Sequence, residues 1–129
     1  GQETETVTSA QAHRVPGVDG HTICLSVALD RSVPLDEVLG VLASYRGDED
    51  VRRLPSAPAR PLVVHADPDR PQPRLDRDLG NGMTVSVGRV RPCPVLDLRM
   101  VVVVHNTVRG AALGSVLNAE AAVARGVVT

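Results

Sequence analysis

The chain has 129 residues, a formal charge of −1 and 43% apolar content, enough for one modest domain with a single core. It contains no Phe, no Trp and one Tyr (Tyr45) against 23 Val, so its core is built from small β-branched pieces, which favours sheet over helix. Fourteen Arg and no Lys balance fifteen acids, which leaves no basic field for nucleic acid and no aromatic platform for stacking bases.

Thr6–His13 reads as a first strand, followed by a Pro- and Gly-containing connection, Val15–Gly20. His21–Leu29 alternates, with Ile23, Leu25, Val27 and Leu29 on one side and Cys24, Ser26 and Ala28 on the other. Pro34 opens a helix to about Tyr45, with Leu35, Val38, Leu39 and Leu42 on one stripe. A proline-punctuated loop from Arg53 leads to a short strand, Pro61–Ala66. Asp67–Asn81 carries three prolines and three arginines among its acids, and alternating charge predicts an ordered loop. Thr84–Arg91 is strand-like, with Gly88 as a candidate bulge, and Leu96–His105 predicts a central strand covered on both faces. Gly110–Arg125 predicts a closing helix with Leu113, Val116, Leu117 and Glu120 on one stripe. The order β-β-α-β-β-β-α implies an α+β domain with a mixed, largely antiparallel sheet and helices packed on it. No apolar stretch reaches the roughly 20 residues of a membrane helix. No basic segment followed by an apolar one opens the chain, so the expected setting is cytoplasmic.

Three places carry polar groups that a core does not require. Arg14 and His21 flank the first connection, where a guanidinium fork and an imidazole can share a cleft. Spacing alone favours the plainer reading, a surface ion-pair residue and a turn histidine. Asp67–Asp78 offers carboxylates to a hard cation, but interleaved arginines favour a self-paired interface loop, and no metal is expected. His105-Asn106-Thr107 leads into Arg109-Gly110-Ala111-Ala112, where an apolar strand delivers polar groups to a helix start. Gly110 and Gly114 stand at GxxxG spacing, which reads as close helix packing more readily than as a cofactor box. Cys24 and Cys93 lack metal-type spacing and read as reduced thiols without the context of an activated thiolate.

Four segments in order, His13-Arg14-Val15-Pro16 with Asp19-Gly20-His21-Thr22, then Asp67–Asp78, then His105–Ala112, then Ser115–Glu120, resemble aspartate-semialdehyde dehydrogenase. The likeness is to its archaeal and fungal branch, which includes related malonyl-coenzyme A reductases, and runs from about Val7 to Gly126. It implies the C-terminal domain of the glyceraldehyde-3-phosphate/aspartate-semialdehyde dehydrogenase fold, about the last third of the family's protein. It also implies Arg14 as the holder of a substrate carboxylate and His21 as the acid/base partner of a catalytic cysteine. Asn106 would lie near the nicotinamide end of NADP if a nucleotide domain is supplied. Gly17 replaces a branched residue usual in the family, and Leu113 a small one, so Leu113 can fill space that a neighbouring domain or cofactor takes elsewhere.

The 129 residues show neither a glycine-rich nucleotide turn nor an Asn-Cys element. Residues 1–129 are therefore expected to form a single domain with no nucleotide-binding domain and no cofactor of its own. The first functional reading is a C-terminal part of an aspartate-semialdehyde dehydrogenase, not a dehydrogenase alone, which uses NADP only with a companion nucleotide-binding chain. The second is a free-standing domain doing cofactor-free cyclisation, dehydration or isomerisation on a small carboxylate. The third is a non-catalytic dimerising domain. Expected partners are a second copy, a companion chain and a small carboxylate or phosphate, with no nucleic acid and no membrane.

Overall fold

A computed structural model of the chain describes residues 15–128; the predicted strand Thr6–His13 and Arg14 lie outside them. The elements are β1 (His21–Val27), α1 (Leu35–Ser44), β2 (Leu62–His65), α2 (Pro73–Asp76), β3 (Val85–Pro92), β4 (Leu98–Val104) and α3 (Leu113–Ala124). A 3₁₀ turn (Val51–Arg53) and a π-helical turn (Val108–Ala112) complete them. The four strands form one sheet in the order β1-β4-β3-β2. β1 and β3 run antiparallel to β4, and β2 runs parallel to β3. The sheet is thus mixed and largely antiparallel, as the sequence predicts, and no helix of the described residues is long and apolar enough to cross a membrane.

Register decides which residues share a face. Val102 sits opposite both Ile23 and Val87, and Val103 opposite both Thr22 and Ser86. Val102 and Val103 are neighbours in sequence, point to opposite faces, and are both buried. β4 is therefore central and covered on both sides at its middle, while Arg99 near its start is exposed. Helix α1 packs on β2 and β3. Its stripe of Leu35, Val38, Leu39 and Leu42 is half-buried, and Val41 on the far side is 62% exposed. Asp36 and Glu37 occupy its first turn, where the helix dipole favours acids.

The parallel β2–β3 pair requires a long crossover, and that crossover is the proline-rich segment 67–81. It is ordered, as alternating charge predicts, and contains the short helix α2, which sequence reasoning left as loop. The segment lies flat on the sheet at Gly88. A Cβ built there would stand 2.5 Å from the Arg70 carbonyl oxygen and 2.9 Å from Pro71 Cδ, so only a glycine admits the approach. The predicted bulge follows at once, as a register shift between Gly88 and Arg91 with Arg89 at φ 55°.

Two expectations are corrected. The closing helix does not begin as an α-helix at Gly110. Gly110 and Ala112 donate their N–H groups to the carbonyls of His105 and Thr107, five residues back, which makes a π turn before α3 starts at Leu113. A Cβ at Gly114 would run into the Arg109 carbonyl, so Gly114 is required by this turn, whereas Gly110 is not crowded. On α3, Leu117 is buried and Glu120 half-buried, but Val116 is exposed. Glu120 accepts the Ser56 N–H at 3.0 Å and the Ser56 hydroxyl at 2.9 Å, so this edge of the helix is held by hydrogen bonds as well as apolar contact. The second correction concerns β1, which ends at Val27 rather than Leu29 and is uncovered on both faces among the described residues. Ile23 and Leu25 are each 39% exposed.

Gly88→Ala is expected to lower the unfolding free energy by about 1–3 kcal/mol through forced overpacking. Gly40→Ala, on an open face of α1 where an added Cβ meets nothing within 4 Å, is expected to raise it by about 0.5–1 kcal/mol. Urea unfolding of the two variants against the parent measures both, and opposite signs are the expected result.

Candidate functional site

His21 from the first polar place, segment 67–81 and the His105-Asn106-Thr107 triplet meet at one end of the sheet, while Arg14 lies outside the described residues. Pairing of His21 with Val104 puts the Gly20–His21 corner beside the His105-Asn106-Thr107 triplet. Asn106 Oδ1 accepts the Gly20 N–H at 2.8 Å. Segment 67–81 closes the corner from the other side, where Arg77 Nη1 donates to the Asp19 carbonyl at 3.2 Å. Gly20 has φ 102°, and a Cβ there would lie 2.8 Å from Pro73 Cβ. The Asp-Gly dipeptide thus turns left-handed under α2 because no side chain fits. His21 itself is exposed at the mouth of this arrangement.

Segment 67–81 is anchored by a buried carboxylate. Asp76 has 0% side-chain exposure. It accepts from Arg70 Nε at 2.9 Å and Arg70 Nη2, and from the Gln72 N–H at 2.6 Å. His65 Nε2 stands 3.4 Å from its Oδ1. Burial pushes its pKa up, but the Arg70 hydrogen bonds, the Gln72 N–H and the charges of His65 and Arg70 outweigh it, holding the carboxyl below its ordinary value. The loop is therefore self-paired, as the interleaved arginines imply. A second histidine fastens its end, with His105 Nε2 at 3.6 Å from Asp78 Oδ1 and His105 Nδ1 at 3.2 Å from Thr107 Oγ1. Among the described residues, no three His, Cys, Asp or Glu side chains gather as metal ligands.

The family described as semialdehyde dehydrogenase, dimerisation domain, matches residues 2–109. The chain belongs to that family. It is 50% identical over 122 residues to the aspartate-semialdehyde dehydrogenase of Cryptococcus neoformans, covering 93% of this chain and 33% of that relative. It is 48% identical over 112 residues to that of Archaeoglobus fulgidus, covering 87% of this chain and 32% of the relative. A crystal structure of aspartate semialdehyde dehydrogenase with NADP from Candida albicans superposes with a TM-score of 0.78 at 43% identity, over 88% of this chain and 32% of that one. The chain spans about one third of the length of the curated relatives it matches. The fold expected from the resemblance is the fold of this family.

Of the residues singled out beforehand, His21 and Asn106 are brought together and Arg14 lies outside the described residues. Sequence reasoning missed Arg77, Pro73 and Asp19 as parts of the same place. The signals were present: Asp19-Gly20 is a dipeptide that favours φ > 0, and a parallel β2–β3 pair obliges the intervening segment to cross the sheet.

Cys93 needs a correction, since its surroundings do perturb the thiol. Its Sγ accepts the Leu96 N–H at 3.4 Å. The Leu96 and Val95 N–H groups hold its pKa below the ordinary value against partial burial, with help from the Ser26 hydroxyl and the Arg99 charge. It stands in the β3–β4 turn, at the Val27 end of β1, whereas His21 is at the other end. About six strand steps, roughly 20 Å, separate the two ends, so Cys93 is not a partner for His21.

Replacing Asp76 with Asn is expected to cost about 3 kcal/mol at neutral pH, the low end for a broken buried pair because Arg70 is partly exposed. A carboxyl with a depressed folded pKa contributes stability that is full above the unfolded value, about 3.9, and is lost as pH falls through the folded value. The gap between parent and Asp76→Asn in urea unfolding should therefore stay constant above about pH 5 and narrow below about pH 4.

Proposed function

We propose that this chain supplies the substrate-binding and subunit-joining third of an aspartate-semialdehyde dehydrogenase, and that it works with a nucleotide-binding segment bearing the nucleophilic cysteine. The observation that carries the reading is the braced corner, in which a chain one third of its relatives' length keeps His21, Gly20 and Asn106 in one constellation. On this reading residues 1–129 are one domain without a nucleotide-binding domain. Arg14 pairs its guanidinium fork with the substrate carboxylate. His21 takes the proton of the thiol as its sulfur adds to the aldehyde carbon, and returns it to the sulfur when phosphate displaces the acyl group.

Asn106 fits a nicotinamide. Its Oδ1 is engaged by the Gly20 N–H, which leaves Nδ2 to donate to a carboxamide oxygen. NADP, when held by the companion segment, supplies the hydride chemistry. The chain's own part is to bind the carboxylate, to orient the ring and to move the proton.

The test is complementation. The two thirds of the Cryptococcus neoformans relative that this chain does not match is produced separately and mixed with it. Formation of NADPH from aspartate semialdehyde and phosphate is then followed. Neither piece alone should turn over, and the mixture should. In the mixture His21→Ala should lower kcat by about 10²–10⁴-fold, and Arg14→Ala should mainly raise KM. Two folded pieces that stay inactive together would overturn the proposal.

The same reading assigns the uncovered side of the sheet around β1 to a second copy of the chain, since Ile23 and Leu25 are exposed there. Light scattering at high micromolar concentration is expected to give the mass of a dimer. A monodisperse monomer would count against this assignment.

A further inference from the structure

We propose that Arg77 is a positioning residue for His21, acting through the backbone of Asp19 and Gly20. The inference deepens the proposed function and rests on His21 as its proton-transfer group. The backbone corner directly before His21 sets the direction in which its side chain leaves the chain. Among the described residues that corner has two polar fastenings, one from each side. Asn106 Oδ1 accepts the Gly20 N–H, and Arg77 Nη1 donates to the Asp19 carbonyl.

Arg77 can serve this role because its own position is fixed. It follows directly on Asp76, whose buried carboxylate is bound to Arg70 and the Gln72 N–H, and its own N–H donates to the Pro73 carbonyl at 3.1 Å, so its backbone is held on both counts. Its Nε pairs with Asp78 Oδ2 at 3.4 Å, which orients the guanidinium plane, and three quarters of its side chain is shielded from solvent. Pro73 and the Arg77 Cβ, 2.8 and 3.3 Å from a Cβ position at Gly20, form the wall against which the corner rests. A rigid fork that donates to a backbone carbonyl while paired with a carboxylate is a geometry that guanidinium supports well. Displacement of about 1 Å at a proton-transfer group is enough to reduce turnover a hundredfold.

The experiment uses Arg77→Met and Arg77→Lys in the full chain. In Arg77→Met, amide hydrogen exchange at Gly20 should quicken about tenfold, the factor one hydrogen bond carries. The Val87 and Val103 amides in the core should keep their rates. In the complementation mixture kcat should fall about tenfold or more with KM nearly unchanged, and Arg77→Lys, which still donates one hydrogen bond, should recover part of both losses. Unchanged Gly20 exchange in Arg77→Met overturns the proposal. So does equal acceleration at Val87 and Val103, which would make Arg77 a general stabiliser. The exchange measurement needs no activity, so it stands even where His21→Ala leaves turnover intact and the proposed function itself fails.

Discussion

The carboxylate of Asp76 is the constraint on which the rest of the structure depends. A chain without Phe or Trp cannot seal a sheet with large side chains, so one face is covered by a strap of backbone, the segment 67–81. A strap of prolines and charges has little apolar surface to hold it down. It is held instead by one fully buried anion with Arg70, the Gln72 N–H and His65 around it. Removing Arg70 would leave the buried carboxylate without its cation, which makes this pair costly to break.

That strap couples the core to the site. It meets the sheet at Gly88, where the backbones touch, and meets the His21 corner at Gly20, where Pro73 closes in. Two glycines, one against Arg70 and Pro71 and the other against Pro73 and Arg77, thus permit close contacts that a side chain would block. Between them lies the short helix α2, which buries Asp76 and is followed at once by Arg77, the donor to the Asp19 carbonyl.

Much of the fold is legible in the sequence, because its strongest patterns are local. The alternation in His21–Val27 marks a strand, though not its burial, while the stripe of α1 and the apolar run of β4 also report which residues are covered. What periodicity does not carry is the path of segment 67–81, since prolines and alternating charges mark order without giving a partner. The same holds for the site. His21 and Asn106 stand out as residues, but their meeting depends on the β1–β4 register, and Arg77 joins them only through the crossover. The π turn at Val108–Ala112 escapes because i→i−5 bonding and ordinary helix share nearly the same composition.

Tyr45 is 52% exposed and stands at the rim of a cavity of about 210 Å³ lined by Val51, Pro58, Leu62, Val85, Arg109 and Leu117 among others. It is also the only Phe, Tyr or Trp of the chain. Near-ultraviolet absorption and emission of the protein therefore originate at one known point, beside an apolar hollow. Any segment that comes to lie over that hollow changes the solvent around this single ring, so the molecule carries a built-in optical reporter for its own coverage, with no background from elsewhere in the fold.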